Sequence, residues 1–393
     1  MRVLHIASGR TGGARLAAER LSNYQSQFGI QSNIFPDNGS LDQRHWLGTL
    51  ASKTVTLTQT FLTKDEYGVF SSMSSSRIDL EQIRNERYDI AHIHNWFNVL
   101  NLEDINKLAK IAPIVFTLHD ERMITGGCHY TFSCENYKVN CNSCPGVHAA
   151  KILVKRKKIE IEKLFQSIPN YGVITPSKWI KDKSKSEGVI KNSKITRVIP
   201  NLIDFPSDFK VKNWEHTMIR RITFIAADVD EDIKGFDILV NALSALHHDG
   251  AKFHLDVIGK KTKNTYIDFP HQIHGYLNSE QMRELLFNNG LCVIPSKLDN
   301  LPTTGIEAIL AGNILVVAKV GGLPELVDEN LTGFICQPNS ESIKKTISWI
   351  FESEASTISR MREKSIARAR VLYKNSTNNL QHNLVYENLI NNA

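Results

Sequence analysis

The stretch Leu291-Cys292-Val293-Ile294-Pro295-Ser296-Lys297-Leu298-Asp299-Asn300-Leu301-Pro302-Thr303-Thr304-Gly305-Ile306-Glu307-Ala308-Ile309-Leu310-Ala311-Gly312-Asn313-Ile314-Leu315-Val316-Val317 decides the architecture of this 393-residue chain. Leu291–Pro295 is a short apolar run that reads as a strand. A polar loop follows, then a helix over Thr304–Ala311 and a second strand over Ile314–Ala318. Pro302 suits the first helical turn, where its missing N–H costs nothing. Strand, loop, helix and strand in this order form a βαβ unit of a parallel sheet.

The same alternation runs outward in both directions. Upstream, Arg221–Ala226 and His254–Ile258 read as strands, with helices over Phe236–His247 and Ser279–Asn288. A separate series begins at the first residues: strands Val3–Ala7, Asp89–His94, Ile114–Leu118, Tyr171–Thr175 and Thr196–Ile199, with a helix over Ala14–Phe28. Pro200-Asn201-Leu202-Ile203-Asp204-Phe205-Pro206 breaks the two series. The expected fold is α/β, two doubly wound Rossmann-like domains: 1–200, carrying a Cys-rich insertion at 125–146, and 201–374. A final helix over 375–393, with Leu380, Leu384 and Leu389 at helical spacing, is expected to pack back on the first domain. Ligands of open parallel sheets bind beyond the carboxyl ends of the strands. Two such domains facing each other put the expected site in the cleft between them.

A hydrophobic fraction of 41% and a charged fraction of 22% are those of an ordinary globular protein. No stretch reaches the roughly 18 apolar residues of a membrane span, and the opening run is too short for a signal peptide; the expected location is cytoplasmic. The net charge of +6 is unevenly placed: residues 151–200 hold thirteen Lys and Arg against four Asp and Glu. Such a region suits an anionic partner, with a membrane surface, a phosphorylated acceptor and nucleic acid as candidates. Over Lys151–Phe165, Val154, Ile161, Phe165 and Ile168 make an apolar stripe, and Lys155, Arg156, Lys157, Lys158 and Lys163 supply charge. That pattern fits a peripheral helix on the inner face of a membrane, or a plain surface helix with one core-facing stripe. Only Phe165, Tyr171 and Trp179 interleave the charges, too few aromatics for single-strand nucleic-acid binding.

Several residues carry candidate chemistry. The helix start after Pro302 offers free N–H groups and a dipole to an anion; Asn300, Leu301 and Thr303 line it, Asp299 precedes it, and Glu307 follows in its first turns. On spacing alone, a capped core helix with two surface acids fits as well. Lys234, before Gly235 and a helix, can neutralise a diphosphate without a metal, or be an ordinary solvated lysine. Gly12 and Gly13 in Thr11-Gly12-Gly13-Ala14 open a helix after the first strand, as a ligand-approaching loop or a structural turn; the dinucleotide fingerprint is not there. His119 ends a strand, while His92 and His94 alternate on another as packing or cleft-lining residues. Cys128, Cys134, Cys141 and Cys144 have the number and partly the spacing of a structural zinc site; reduced, unligated thiols are the alternative.

Asp299-x7-Glu307-Ala308, running through Gly312 into a strand and on to Val320-Gly321-Gly322-Leu323-Pro324-Glu325-Leu326-Val327, resembles the signature of the retaining GT-B glycosyltransferases of family four. The Lys234-Gly235-Phe236-Asp237 run resembles that family's diphosphate-binding lysine. The similarity is strongest over 221–330 and 113–146. It implies a GT-B fold, Glu307 on the nucleotide ribose, Asp299 toward the donor sugar and Lys234 on the diphosphate. It further implies Gly12 and Gly13 near donor phosphates and acceptor, and His119 beside the transferred sugar. The Cys-rich insertion is similar to that of a bacterial branch making surface polysaccharides. The implied activity is retaining, metal-independent transfer of a hexosyl unit from a nucleotide diphosphate sugar to a glycan or polyprenyl-diphosphate-linked acceptor, in O-antigen (lipopolysaccharide), capsule or exopolysaccharide biosynthesis. Two features depart from the family: the first acid is Asp where Glu is usual, and Ala226-Ala227-Asp228-Val229-Asp230 holds no companion arginine. A nucleotide-sugar epimerase of the same architecture and a non-catalytic anion- or nucleic-acid-binding module are the rival readings.

Overall fold

Short runs rich in Val and Ile become strands in the computed structural model, which describes residues 1–8, 12–35, 76, 78–97, 99–147, 151–205 and 215–392. The chain divides into two units, Met1–Asn201 with Ser376–Ala393, and Leu202–Asn375. Thr11, Pro206 and all of 36–75 lie outside the described residues.

In the first unit β1 (Arg2–Ala7), β2 (Gln31–Phe35), β3 (Ile90–Asn95), β4 (Ile114–Thr117), β5 (Tyr171–Thr175) and β6 (Ile195–Val198) lie in the order β2-β1-β3-β4-β5-β6, all pairs parallel. The helices are α1 (Gly13–Gln27), α2 (Leu80–Glu86), α3 (Leu102–Leu108), α4 (Lys151–Ser167), α5 (Lys178–Lys183) and α6 (Gly188–Lys191). In the second unit β7 (Arg221–Asp228), β8 (His254–Lys260), β9 (His271–Gly275), β10 (Leu291–Ile294), β11 (Ile314–Ala318) and β12 (Gly333–Cys336) lie in the order β12-β11-β10-β7-β8-β9, again parallel. Its helices are α7 (Phe236–His248), α8 (Ser279–Asn288), α9 (Thr303–Ala311), α10 (Ser340–Glu352) and α11 (Ala355–Leu372); α12 (Asn375–Asn391) follows them in the chain. This is the doubly wound α/β class that the alternating pattern predicts. β2, β9 and β12 escape that pattern: β2 and β9 are edge strands, and their half-polar sequences lack an apolar run.

A parallel sheet must bury both faces. On one face of the first sheet, Leu4, Ile6, Ala91, Ile93, Ile114 and Phe116 join a core with Val154, Ile161, Leu164 and Phe165 of α4. On the other, Val3, Ile90, Val115 and Ile174 meet Val385, Tyr386 and Leu389 of α12. The expected stripe on α12 is corrected here. Leu380 and Leu384 are exposed, and the buried face is Asn378, Asn379, His382, Val385, Tyr386 and Leu389. The helix matches a sheet face that is apolar at the strand starts and polar at their ends.

The basic helix also differs from its sequence reading. Val154, Ile161 and Phe165 face the core, but Lys157 and Lys158 are buried as well. Lys158 Nζ is ion-paired to Glu162 and to the buried Glu187 beside α6, and Arg156 pairs with Glu160 at 2.8 Å. Part of the local charge is therefore spent inside the unit. Removing one partner of a buried pair strands the other charge, so Lys158→Met is expected to cost about 3–5 kcal/mol. Lys155→Met on the exposed side should stay within about 0.5 kcal/mol. Urea unfolding of both variants against the parent checks this.

Candidate functional site

In the second unit, three strand-end loops converge on one acidic residue. The loop after β10 carries Asp299 and Asn300, both buried, and leads through Pro302 into α9. Pro302 is the residue before the helix, not in its first turn: its ψ of 126° is extended, and no side chain caps the start. The first N–H groups of α9 thus have no side-chain cap at their own N-cap residue. Thr303 opens the helix, Leu301 is buried behind it, and Glu307 is buried one turn on. Gly305, in the first turn of α9, faces the sheet: an added Cβ would come within 2.9 Å of Ile294 and Leu326.

The loop after β7 makes a 3-10 turn, Asp232–Lys234, ending at Gly235 with φ +69°. A Cβ there would lie 2.3 Å from the Pro295 carbonyl oxygen, and Lys297 N–H donates to Ile233 O at 2.8 Å. This seam brings Lys234 Nζ within 2.8 Å of Asp299 Oδ2. The loop after β11 closes the other side. Gly322 N–H donates to Asp299 O at 3.0 Å, and Gly321 has φ +56° with no room for a Cβ, which would stand 1.9 Å from that oxygen. Lys234, Asp299, Asn300, Leu301, Thr303 and Glu307 therefore share the carboxyl edge of one sheet. Lys234 and Asp299, read separately in the sequence, are an ion pair.

Sequence reading missed Lys261. It follows β8, lies 5.7 Å from the Phe236 ring next to the Lys234–Gly235 turn, and pairs with Asp230 at 3.7 Å. Asp230 stands in the stretch that lacks the expected arginine. Burial raises its pKa, but the N–H groups of Lys263 and Thr262, the Thr262 hydroxyl and Lys261 together bring it down to about 2. The signal was the Lys260-Lys261 pair at the end of a strand. A shallow cavity of about 290 Å³ beside Arg221, Asp256 and His274 lies at the opposite end of β7 and belongs to a buried ion-pair network.

In the first unit, Gly12 precedes α1 with φ +112°, and an added Cβ on Gly12 or Gly13 would meet nothing within 4 Å. Backbone angle, not crowding, selects glycine at position 12. His119 follows β4 and joins a buried cluster that sequence reading missed except for His92 and His94. His5 Nδ1 is 3.1 Å from His94 Nε2, and His94 Nδ1 is 3.0 Å from His119 Nε2. His92 bonds Thr117 Oγ1 and Tyr386 Oη, each at 2.7 Å. Alternation placed His5, His92 and His94 on one sheet face only once β1 and β3 paired, with His5 opposite His92.

Beyond His119, Asp120 takes Arg122 Nε at 2.8 Å, and the buried Glu121 takes Thr131 N–H at 2.7 Å and Lys183 Nζ at 2.9 Å. These bonds root the cysteine loop. Cys128, Cys141 and Cys144 are buried, Cys134 is half-buried, and none is in a disulfide. The Cys128 thiol hydrogen-bonds Cys144, whose pKa falls to about 7, with backbone N–H groups of Gly146 and Val147 contributing against the effect of burial. Burial lifts Cys141 to about 11 despite a hydrogen bond from Gly126. Among the described residues, the set of three ligand atoms within 4.8 Å of one another is His5, His92 and His94, not the thiols.

Burial lowers His5 and His119 to about 4, and His92 and His94 well below the ordinary 6.5. The fold holds these rings neutral, so the unfolded chain binds more protons between about pH 4 and 6.5. Their stabilisation is complete above 6.5 and is lost as pH falls toward 4. Unfolding free energy measured by urea at stepped pH should drop through that window, with a shallower slope in His5→Gln.

Residues 209–371, which lie within the second unit, match the family model of the glycosyl transferases, group 1. A putative colanic acid biosynthesis glycosyl transferase, WcaC, of Escherichia coli K12 is 26% identical over 264 residues, 61% of this chain and 62% of the relative. The chain spans 65% and 62% of the length of two curated relatives that it matches. A crystal structure of a glycosyltransferase from Rickettsia africae ESF-5 superposes with TM-score 0.65 at 14% identity, covering 100% of this chain and 99% of that one. Anabaena Alr3699/HepE in complex with UDP-glucose superposes with TM-score 0.60 at 18% identity, covering 99% of each. The fold is the two-domain GT-B architecture.

Proposed function

We propose that this chain, whose second unit matches the group 1 glycosyl transferases, moves a hexosyl unit from a nucleotide diphosphate sugar to a glycan or polyprenyl-diphosphate-linked acceptor in surface polysaccharide synthesis. The carrying observation is the convergence of Lys234, Asp299, Glu307 and the start of α9 on one strand-end edge. A donor diphosphate suits this edge: the α9 N–H groups and Lys234 supply positive potential where negative charge grows on the leaving group. The UDP-glucose bound by the Anabaena structure is a donor of that class. In this reading the buried Glu307 binds the ribose and Asp299 faces the donor sugar.

The Lys234–Asp299 pair gives this scheme an order of events. An arriving diphosphate competes for the lysine, and Asp299 is released toward sugar hydroxyls as the lysine turns to phosphate. Lys261 stands in for the absent arginine as a second cation on the same edge. The reaction is retaining, with departure and attack on one face of the sugar, the leaving diphosphate taking the acceptor proton and no metal required. Gly12, Gly13 and His119 belong to the acceptor side. Relatedness to a colanic acid enzyme favours an exopolysaccharide product. The exposed residues of α4, Ile152, Leu153 and Lys155, supply the membrane-facing patch.

Lys234→Ala and Glu307→Ala are each expected to lower transfer by about 10²–10³-fold, the loss typical of one electrostatic contact to the transition state. Product formation from a panel of nucleotide sugars measures it, and parent-like turnover in both variants overturns the assignment. An epimer formed from donor alone would favour the rival enzyme.

The four cysteines suit a structural zinc ion, because Cys144 is the thiol most easily ionised and backbone N–H groups already point at sulfur. A metal would draw Cys134 and Cys141 in toward the Cys128–Cys144 pair and fix the loop rooted at Glu121. Elemental analysis should find one zinc per chain, lost in Cys144→Ser; a metal-free parent with four reduced thiols refutes the site.

A further inference from the structure

The first turns of α12 carry polar groups that the fold buries and does not pair. Asn378 and Asn379 are 4% and 7% exposed. Asn378 Nδ2 and Asn379 Oδ1 have no hydrogen-bond partner, nor has Asn383 Oδ1 one turn after Asn379. A buried polar atom left so costs about 1–3 kcal/mol. Covering a sheet does not require such groups: later turns of the same helix do it with Val385 and Leu389. His382 belongs with them. Its Nδ1 lies 2.8 Å from Asn378 O. A backbone carbonyl only accepts, so the ring carries its proton on Nδ1, and in the neutral form that burial imposes Nε2 is a lone pair. The described residues bring no donor to that lone pair.

The place of these groups follows from how α12 lies on the first sheet. Its last turns meet the strand starts: Asn170, just before β5, donates to Leu389 O at 3.0 Å. Tyr386 reaches His92 in mid-strand, and the His382 ring stands 6.0 Å from that of His92. At about 1.5 Å per residue, Asn378 lies about 16 Å back from Leu389, at the carboxyl edge of the sheet. His94 and His119 stand at that edge. Burial chiefly lowers both, and His382 adds to the effect, so the three rings are within electrostatic reach of one another.

We propose that Asn378, Asn379 and His382 form a subsite for the hydroxyls of a sugar ring of the acceptor, one hydroxyl donating to His382 Nε2 and its neighbours bonding the two amides. The acceptor assignment rests on the sugar-transfer reading above; the hydroxyl-binding site does not. Asn378 and His382 stand one turn apart on one helix face, and Asn379 is next to Asn378 in the chain. An Asn amide offers a donor and an acceptor in either orientation, which matches hydroxyls, since they also do both. His382 Nε2 is confined to accepting, and a hydroxyl can give it a proton. A carboxylate or a fully ionised phosphate ester has no proton to give, and none of the three side chains is a cation.

The test uses the full chain with ¹⁵N-labelled histidine at pH 7, and the methyl glycosides of glucose, galactose, mannose and N-acetylglucosamine as probes. Two-bond ¹H–¹⁵N correlation should show His382 as an Nδ1–H ring. At least one glycoside should move its Nε2 resonance saturably upfield, as a lone pair does on accepting a hydrogen bond. Asn378→Ala should weaken that response, and Leu380→Gln, on the exposed side of the same turn, should keep it. In transfer to the glycoside that binds, His382→Leu should raise the KM for that glycoside about tenfold, the scale of one lost hydrogen bond. The KM for the nucleotide sugar should change by less than about twofold. His382→Gln, whose amide still accepts, should recover most of the glycoside KM. An Nε2–H ring at His382, or a resonance that none of the glycosides moves, overturns the subsite; the second is the outcome if the amides hold only ordered water. Equal rises in both KM values, or equal rises in His382→Leu and His382→Gln, make the role structural and overturn it too. Glycoside binding at His382 in a chain that transfers no sugar overturns the functional reading and not the subsite.

Discussion

The first sheet is parallel and must be covered on both faces, and the chain covers the second face with α12, a helix reached only after the whole second unit. Much else in that unit depends on this cover. It excludes water from His5, His92 and His94, which is why the rings are neutral and bond one another. Its Tyr386 joins His92 to Gln25 and completes the polar end of the interface. A helix with a wholly apolar stripe would leave those nitrogens without partners, at a cost of about 1–3 kcal/mol for each buried polar group.

The second unit solves a different problem by similar means. Its candidate edge is built from loops of three strands, tied by backbone bonds from Lys297 to Ile233 and from Gly322 to Asp299 and by the Lys234–Asp299 and Lys297–Asp232 ion pairs.

The sequence made the strands with continuous apolar runs legible, because a parallel strand buried on both sides leaves no alternation to misread. β2 and β9, half-polar at sheet edges, gave no such signal. Asp299, Glu307 and Lys234 were found through local spacing and resemblance, but their pairing spans 65 residues and depends on strand order, which spacing does not encode. Lys158 looked like surface charge because its partner Glu187 is 29 residues away. Leu380 and Leu384 looked like a buried stripe because periodicity reports an amphipathic helix, not which face the rest of the fold presents to it. His5 and Gln25 were the least legible, since only the pairing of β1 with β3 and the packing of α1 and α12 give them a common purpose.

The placement of α12 also bears on how the protein comes into being. A ribosome releases the strands β1 to β6 long before it makes the helix that covers their second face. Until the intervening 174 residues of the second unit have emerged, Val3, Ile90, Val115 and Ile174 stand as an uncovered apolar surface on the nascent chain. The second unit, contiguous in sequence, can complete its own core first. The earlier-made half is therefore the later to finish, and the interval between them is when a chaperone has something to hold.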